Sequence, residues 1–444
     1  MTTHGSAGER WVVVGLASPR SPWFQELGRW SAAAAVPVDF LRCVSPEEVR
    51  ARFAAGRAIS AMVVDGAHHG VDRDLIDVAA HAGAAVLVVD DGRVPRDWRT
   101  LGATAVLDAP VEREALLDAL ASHARPVQRG DQLLDLAHPH GSSDSVAASE
   151  PGRLVAVTGG GGAGTSTVAM ALAQGLATDP RHRGLVLLAD LALRADQALL
   201  HDAGDVVPGL QELVDAHRNG VPTPTEVRRS TFAVDGRGYD LLLGLRRHRD
   251  WVTLRPRALQ ATLGSLRLAY RFVIADVTAD LEGEAEIGST DVEDRNVCAR
   301  TAIAGAELVV VVGAPSIVGI HRLVQVLHEV HDHGVAPQRI LPVLNGAPRR
   351  GRARAELHTS LAQLCGQLGS ELPTALTLPR RRIDDAMRVV AALPTALTLP
   401  LARAVSAMTD HERAAEPTEP TPEPVLVAPG SLGHWHGDDG EESA

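Results

Sequence analysis

No lysine occurs anywhere in the 444 residues; all 43 basic side chains are arginines. Any role that needs a compact ammonium group must therefore go unfilled or pass to a guanidinium, which has a different shape and hydration. Aromatic residues are scarce at 3%, so the interior has to be built from Val, Leu, Ala and Ile, as in parallel sheets covered by helices on both faces. The three cysteines, Cys43, Cys298 and Cys365, are odd in number and far apart. That spacing suits reduced structural thiols better than a metal site or a disulfide framework. No apolar run approaches the ~18 residues of a membrane span, and the opening MTTHGSAGERW has no apolar core of a secretory signal. The expectation is a cytoplasmic protein without stable membrane insertion. A basic excess is missing as well: the net charge of −12 weighs against nonspecific nucleic-acid binding by the surface as a whole.

What is present is concentrated between Leu154 and Ala177, where LVAVTGGGGAGTSTVAMALAQGLA takes an apolar strand through a glycine loop into an apolar-periodic helix. Gly159, four residues, Gly164, Thr165 and Ser166 reproduce the spacing of G-x-x-x-x-G-K-[ST], the P-loop in which backbone amides cradle phosphates at a helix N-terminus. Thr165 stands where the pattern has its lysine. The same glycines satisfy G-x-G-x-x-G through Gly159, Gly161 and Gly164, and Asp190 ends the next apolar run, where a dinucleotide fold puts its ribose-binding acid. A plain glycine-rich turn is the third reading. Two features favour the P-loop. Ser166 and Thr167 follow the last glycine, as Mg²⁺ and phosphate contacts require, and a second strand-terminal acid, Asp276 in YRFVIADVT, is placed as a Walker B aspartate. Ser166 and Asp276 are then the candidate Mg²⁺ ligands, and ATP or ADP the candidate nucleotide.

Around this motif the chain reads as α/β throughout. From Trp11 to about residue 125, the runs WVVVGL, VPVDFLRC, AMVVD, AAVLVVD and TAVLDAP alternate with helix-length segments, which predicts a five-stranded α/β unit. Its order resembles a response-regulator receiver domain of flavodoxin-like fold, with Asp65 at the phosphoacceptor position. Gly15-Leu16 and Asp108-Ala109-Pro110 replace the acidic pair and the Lys-Pro of such a site, so it reads as a degenerate, pseudo-receiver domain. Residues 126–152 are small, polar and Pro/Gly/Ser-rich, a linker in which His138 and His140 are solvated. Residues 153–410 carry six strand-like runs, LVAVT, GLVLLAD, YDLLLG, RFVIAD, ELVVVVG and RILPVLN, for which a doubly wound parallel sheet is the natural solution. Residues 411–444 form an acidic, Pro-rich tail with too few apolar side chains to order. The octapeptide LPTALTLP occurs at 372–379 and again at 393–400 and reads as two similar connectors.

With these motifs in view, the second unit resembles the MinD/ParA group of deviant-Walker P-loop ATPases, and the receiver-like unit before it makes the whole similar to the CpaE-like, septum site-determining members. GGAGTST (Gly161 to Thr167, with Gly162 inside it) matches the family's GGVGKTT. LLAD followed by LALRAD resembles the strand and switch, Asp276 matches the Walker B acid, and Asn345 ends PVLN where the family places an adenine-contacting Asn. The resemblance implies a nucleotide-binding protein that positions division-septum or pilus/secretion machinery through protein contacts, recruited to septum or pole, with a homodimer as the family's assembly. Departures accompany it: Gly160 holds the place of the signature lysine, and Ala192 that of the second acid of the D-x-D switch. Because phosphoryl transfer is mostly positioning and electrostatic stabilisation, these losses implicate hydrolysis more than binding. Arg194, Arg246, Arg247, Arg249 and Arg380-Arg381-Arg382 are the candidate substitutes for the missing cations.

Overall fold

The computed structural model describes residues 10–33, 35–127, 151–348, 350–368, 371–381, 383 and 392–415. His138, His140, Arg382 and the tail beyond residue 415 lie outside the described residues.

The first unit runs β1 (Trp11–Leu16), α1 (Pro22–Ala32), β2 (Val38–Cys43), α2 (Pro46–Ala54), β3 (Ala61–Asp65), α3 (Arg73–His81), β4 (Ala85–Asp90), β5 (Ala105–Asp108) and α4 (Arg113–His123). All five strands are parallel, in the order β2-β1-β3-β4-β5. The order 2-1-3-4-5 is the flavodoxin-like one. Helix starts are written locally: Ser45 Oγ accepts from the Glu48 amide and Asp72 Oδ1 from the Leu75 amide, satisfying donors that a helix cannot satisfy itself. One connection departs from the expected alternation. Between β4 and β5 there is no helix; residues 91–104 form turns, with Gly92 and Gly102 at positive φ and Trp98 buried, its Nε1 donating to Asp90 Oδ2 at 3.2 Å. The Val127 amide donates to the Arg10 carbonyl, two residues beyond the expected boundary.

The second unit contains β6 (Arg153–Gly159), α5 (Thr165–Ala177), β7 (Val186–Asp190), α6 (Gln197–Leu200), α7 (Leu210–Asn219), α8 (Pro224–Arg229), β8 (Phe232–Val234), β9 (Tyr239–Leu242), α9 (Pro256–Ala269), β10 (Phe272–Asp276), α10 (Glu284–Ile287), α11 (Thr290–Arg295), α12 (Val297–Gly305), β11 (Leu308–Gly313), α13 (Ile317–Asp332), β12 (Ile340–Ala347), α14 (Gly351–Leu364), β13 (Leu376–Pro379) and α15 (Thr395–Ala415). Its sheet order is β13-β12-β11-β6-β10-β7-β9-β8, parallel except for β8, which runs antiparallel on the edge. The six expected strands are present, and β8 and β13 extend the two edges. Strands such as LVVVVG in β11 are buried along their whole length because separate apolar clusters cover the two sheet faces.

Two expectations about the C-terminal part are corrected. The two copies of LPTALTLP are not equivalent connectors: the first supplies β13 and the second opens α15. That helix continues through Ala415, past the expected boundary at residue 410. Helix α15 lies against α5, with Gln174 Nε2 donating to the Leu393 carbonyl and its Oε1 accepting from the Leu393 amide.

The two units meet through α3, which packs on α7 and α9. Arg73 donates to the carbonyls of His217 and Gly220 at the end of α7, Arg218 pairs with the buried Asp72 at 2.9 Å, and Arg257 pairs with Asp77 at 2.7 Å.

Candidate functional site

The glycine loop leaves the carboxyl end of β6, a central strand flanked by β10 and β11. A Cβ at Gly159 would stand 2.3 Å from the Val312 carbonyl oxygen of β11, so only glycine permits that approach. Gly162 and Gly164 have φ of 81° and 85°, left-handed values that side-chain-bearing residues adopt at a cost. The Ala163 amide turns back to the Gly160 carbonyl, and α5 begins at Thr165. The amides of its first turn, Thr165, Ser166 and Thr167, have no intrahelical acceptors; with the helix dipole they make an anion-binding end. The sequence-predicted glycines, Thr165, Ser166 and Thr167 thus lie together in the loop and the first turn of α5.

Beneath it lie the two strand-end acids. Asp190 and Asp276 are neighbours in register across β7 and β10 and are 0% and 2% exposed. Burial raises both pKa values. For Asp276 the value is pushed to about 6, burial being the main cause, while hydrogen bonds from Gln197 and Ser166 pull the other way. Asp190 is raised by burial and then by the Asp276 charge. Two carboxylates in one buried place resist being ionised together. Oxygen-rich and anionic, with Asp276 Oδ2 and the Ser166 carbonyl both reached by Gln197 Nε2, the place has the donor chemistry a small divalent cation requires.

Gln197 holds this arrangement together and was not anticipated. Its amide donates to Asp190 Oδ2 at 2.9 Å and its Nε2 to Asp276 Oδ2 at 2.7 Å, while Oε1 is buried without a partner. A glutamine at the start of the four-residue α6 has no spacing that announces such a role. Asn345, expected to contact adenine, donates its Nδ2 to the Ala163 carbonyl at 2.9 Å; it ties the end of β12 to the loop. Ala192, in the place of a second switch acid, donates its amide to Asp190 Oδ1 at 3.4 Å.

Of the candidate arginines, Arg246 is engaged by Glu212, and Arg194, Arg247, Arg249, Arg380 and Arg381 are exposed. The guanidinium that meets the loop is that of Arg322, from α13: its Nη1 lies 3.3 Å from the Gly161 carbonyl oxygen. Only the sheet order reveals this, because α13 follows β11, the neighbour of β6.

The order also separates the rival readings of the loop. In a dinucleotide fold the acid-bearing second strand lies beside the first. Here β10 stands between β6 and β7, and Asp190 faces Asp276.

At the corresponding edge of the first unit, Asp65 is half-buried and accepts from the Ala67 amide at 3.0 Å. It lines an open cleft of about 750 Å³ together with Arg20, His68, His69, Asp91 and Arg93. Gly15 has no room for a side chain, since a Cβ there would lie 2.4 Å from the Phe40 ring. Among the described residues no group of three or more His, Cys, Asp or Glu is arranged to hold a metal. The three cysteines are buried and free. No helix among the described residues is long and apolar enough to cross a membrane.

No family model matches the chain, and no curated protein matches it. Solved structures similar to it include a ParA family ATPase from Chlorobium tepidum TLS, with 17% identity and a TM-score of 0.45, covering 57% of this chain and 98% of that one. The septum site-determining protein MinD of Pyrococcus horikoshii OT3, complexed with Mg-ADP, is 20% identical with a TM-score of 0.43, covering 59% and 98% of the two chains. An ATP complex of a McdA variant from Cyanothece is 13% identical with a TM-score of 0.40, covering 58% and 97%.

Proposed function

We propose that this chain is a CpaE-like regulatory protein of the MinD/ParA type that binds a magnesium nucleotide weakly and acts through protein contacts on division-septum or pilus/secretion machinery. The observation that carries the nucleotide part is that Gln197 Nε2 donates to Asp276 Oδ2 at 2.7 Å and to the Ser166 carbonyl at 3.4 Å, joining the end of β10, the neighbour of β6, to the first turn of α5 beside the glycine loop. Ser166 and Asp276 would hold Mg²⁺, and the loop amides with those of the α5 N-terminus would hold the phosphates. The metal, when bound, neutralises phosphate charge and favours the ionised form of the buried acids.

The hydrolytic apparatus is depleted. Thr165 and Gly160 occupy the places of both lysines and Ala192 that of the water-orienting acid, so charge developing on a transferring phosphoryl group lacks its usual partners. Amides and a helix dipole survive such replacements, and binding persists where turnover fails. Isothermal titration tests this: Mg-ATP and Mg-ADP bind weakly, NAD(H) does not, and phosphate release stays at background. Turnover that Ser166→Ala abolishes would refute it. Thr165→Lys, which restores a cation at the phosphates, tightens ATP binding.

A second reading, a slow ATPase that switches assembly with nucleotide state, is favoured by Gln197. That residue grips both acids and lies on the segment joining β7 to α7, and α7 carries the contacts to the first unit. Overproduction separates the two. A protein acting by recruitment perturbs septum or apparatus placement even as the Ser166→Ala/Asp276→Ala double variant, whereas a nucleotide switch loses the effect at equal protein level.

A further inference from the structure

We propose that Arg322 supplies the phosphate-side positive charge that the lysine-free loop cannot, so that the nucleotide cation comes from α13 and not from the loop. The proposal rests on the nucleotide reading above and names the residue that tunes its affinity. Two observations place the side chain. Its Nη1 donates to the Gly161 carbonyl at 3.3 Å, and its stem covers Gly160: a Cβ built on that glycine would meet Arg322 Cβ at 3.1 Å and Cδ at 3.3 Å. The space beside residue 160 is therefore already filled by the arginine stem. The absence of a side chain at 160 and the presence of Arg322 are two halves of one arrangement.

The chemistry suits the task. A guanidinium carries five donors in a fixed fork, and one bond to Gly161 leaves the others for phosphate oxygens. The exposed side chain lies beside the loop that enters α5, whose first-turn amides have no intrahelical acceptors and suit an anion. Anchoring on the loop backbone also lowers the entropy lost when the arginine engages a phosphate. Among the described arginines, Arg322 is the one whose position follows the loop itself, because both of its contacts are with residues 160 and 161.

The test is titration of Mg-ATP into the full-length protein and its variants at low and high salt, with thermal melting as the control for folding. Arg322→Ala weakens binding roughly tenfold or more, the scale of a lost charge-assisted contact, and its affinity depends less on salt. Arg322→Lys stays within about threefold of the parent. Gly160→Lys added to Arg322→Ala returns both affinity and salt dependence, by occupying the space the arginine stem has left. Parent-like affinity in Arg322→Ala overturns the proposal. So does a loss that neither Arg322→Lys nor the relocated lysine recovers, since the arginine would then be a brace and not a charge. A parent protein that binds no Mg-ATP overturns the nucleotide reading itself, a result distinct from either.

Discussion

Both units of this protein are built on sheets whose central strands run parallel, and both place an aspartate at the carboxyl end of a central strand, yet the two edges are physically unlike. Asp65 is half-buried and caps its own turn through Ala67, the ordinary use of a strand-end acid. Around it Gly15 has no room for a side chain, because of the Phe40 ring, and the end of β5 brings only Ala109 and Pro110 to the cleft. Asp276 instead sits fully buried beside a second buried acid, bridged by Gln197. Buried, perturbed carboxyls of that kind make this edge the candidate functional site. The lesson is that a strand-end aspartate means little alone; what surrounds it decides.

Restoring an acid at the first edge is the most disruptive way to test the contrast. Gly15→Asp forces a carboxyl into the Phe40 ring and should cost roughly 3–5 kcal/mol, from overpacking plus an unpaired buried charge. Thermal melting reads the loss, and an intact, reactive phosphoacceptor in that variant would break the comparison.

At the second edge the same chemistry is expected with the opposite sign. Asp276→Asn keeps an acceptor for Gln197 and removes one of two confined charges, so the nucleotide-free protein gains about 1–2 kcal/mol at pH 8, roughly 2–8 °C in Tm. The folded pKa of Asp276 lies near 6, above the ordinary 3.8. Its contribution to stability is therefore fully present below about pH 4 and is lost as pH rises through 6. Stability differences between parent and variant should vanish toward pH 4, and a gap independent of pH would assign the effect to packing. The same variant should lose magnesium dependence in nucleotide titrations.

The contact between the units is the next smaller effect. Arg218→Ala leaves Asp72, buried at the start of α3, with its amide partner but without its cation, at a cost of about 1–2 kcal/mol. Proteolysis between residues 127 and 151 should accelerate if this clasp holds the units together. Asp65→Asn should change stability by less than about 1 kcal/mol, and the parent should gain no phosphate adduct by intact mass after acetyl phosphate. An adduct lost in Asp65→Asn would erase the distinction between the two edges.

Much of this was legible in the residues. Strand positions followed from runs that parallel, two-side-buried sheets demand, and the phosphate cradle from glycines whose spacing has one common geometric use. Gln197 and Arg322 were not legible, because their roles depend on which strands are neighbours. Gln197 spans two strands separated by more than eighty residues, and Arg322 crosses from the helix after β11 to the loop after β6. The connection between β4 and β5 had helical length but carries two positive-φ glycines and a tryptophan whose indole is held by Asp90; the local chain chose turns.

The repeated octapeptide states the division of labour most sharply. LPTALTLP at 372–379 and at 393–400 is the same sequence, and by itself it determined only that a proline-bounded, apolar segment would be buried somewhere. In the first copy Leu376, Thr377 and Leu378 pair with Val343, Leu344 and Asn345, extending the sheet. In the second, Leu397 is followed by Leu401 and Val405 at helical spacing, and all three are buried. Leu378 is 1% exposed, whereas its counterpart Leu399 is 46% exposed. Composition, element order and the glycine loop were settled within the chain's own residues, because steric and hydrophobic preferences act over a few neighbours. Whether identical residues become strand or helix, and which arginine reaches a loop without lysine, depended on the partner surface each segment found.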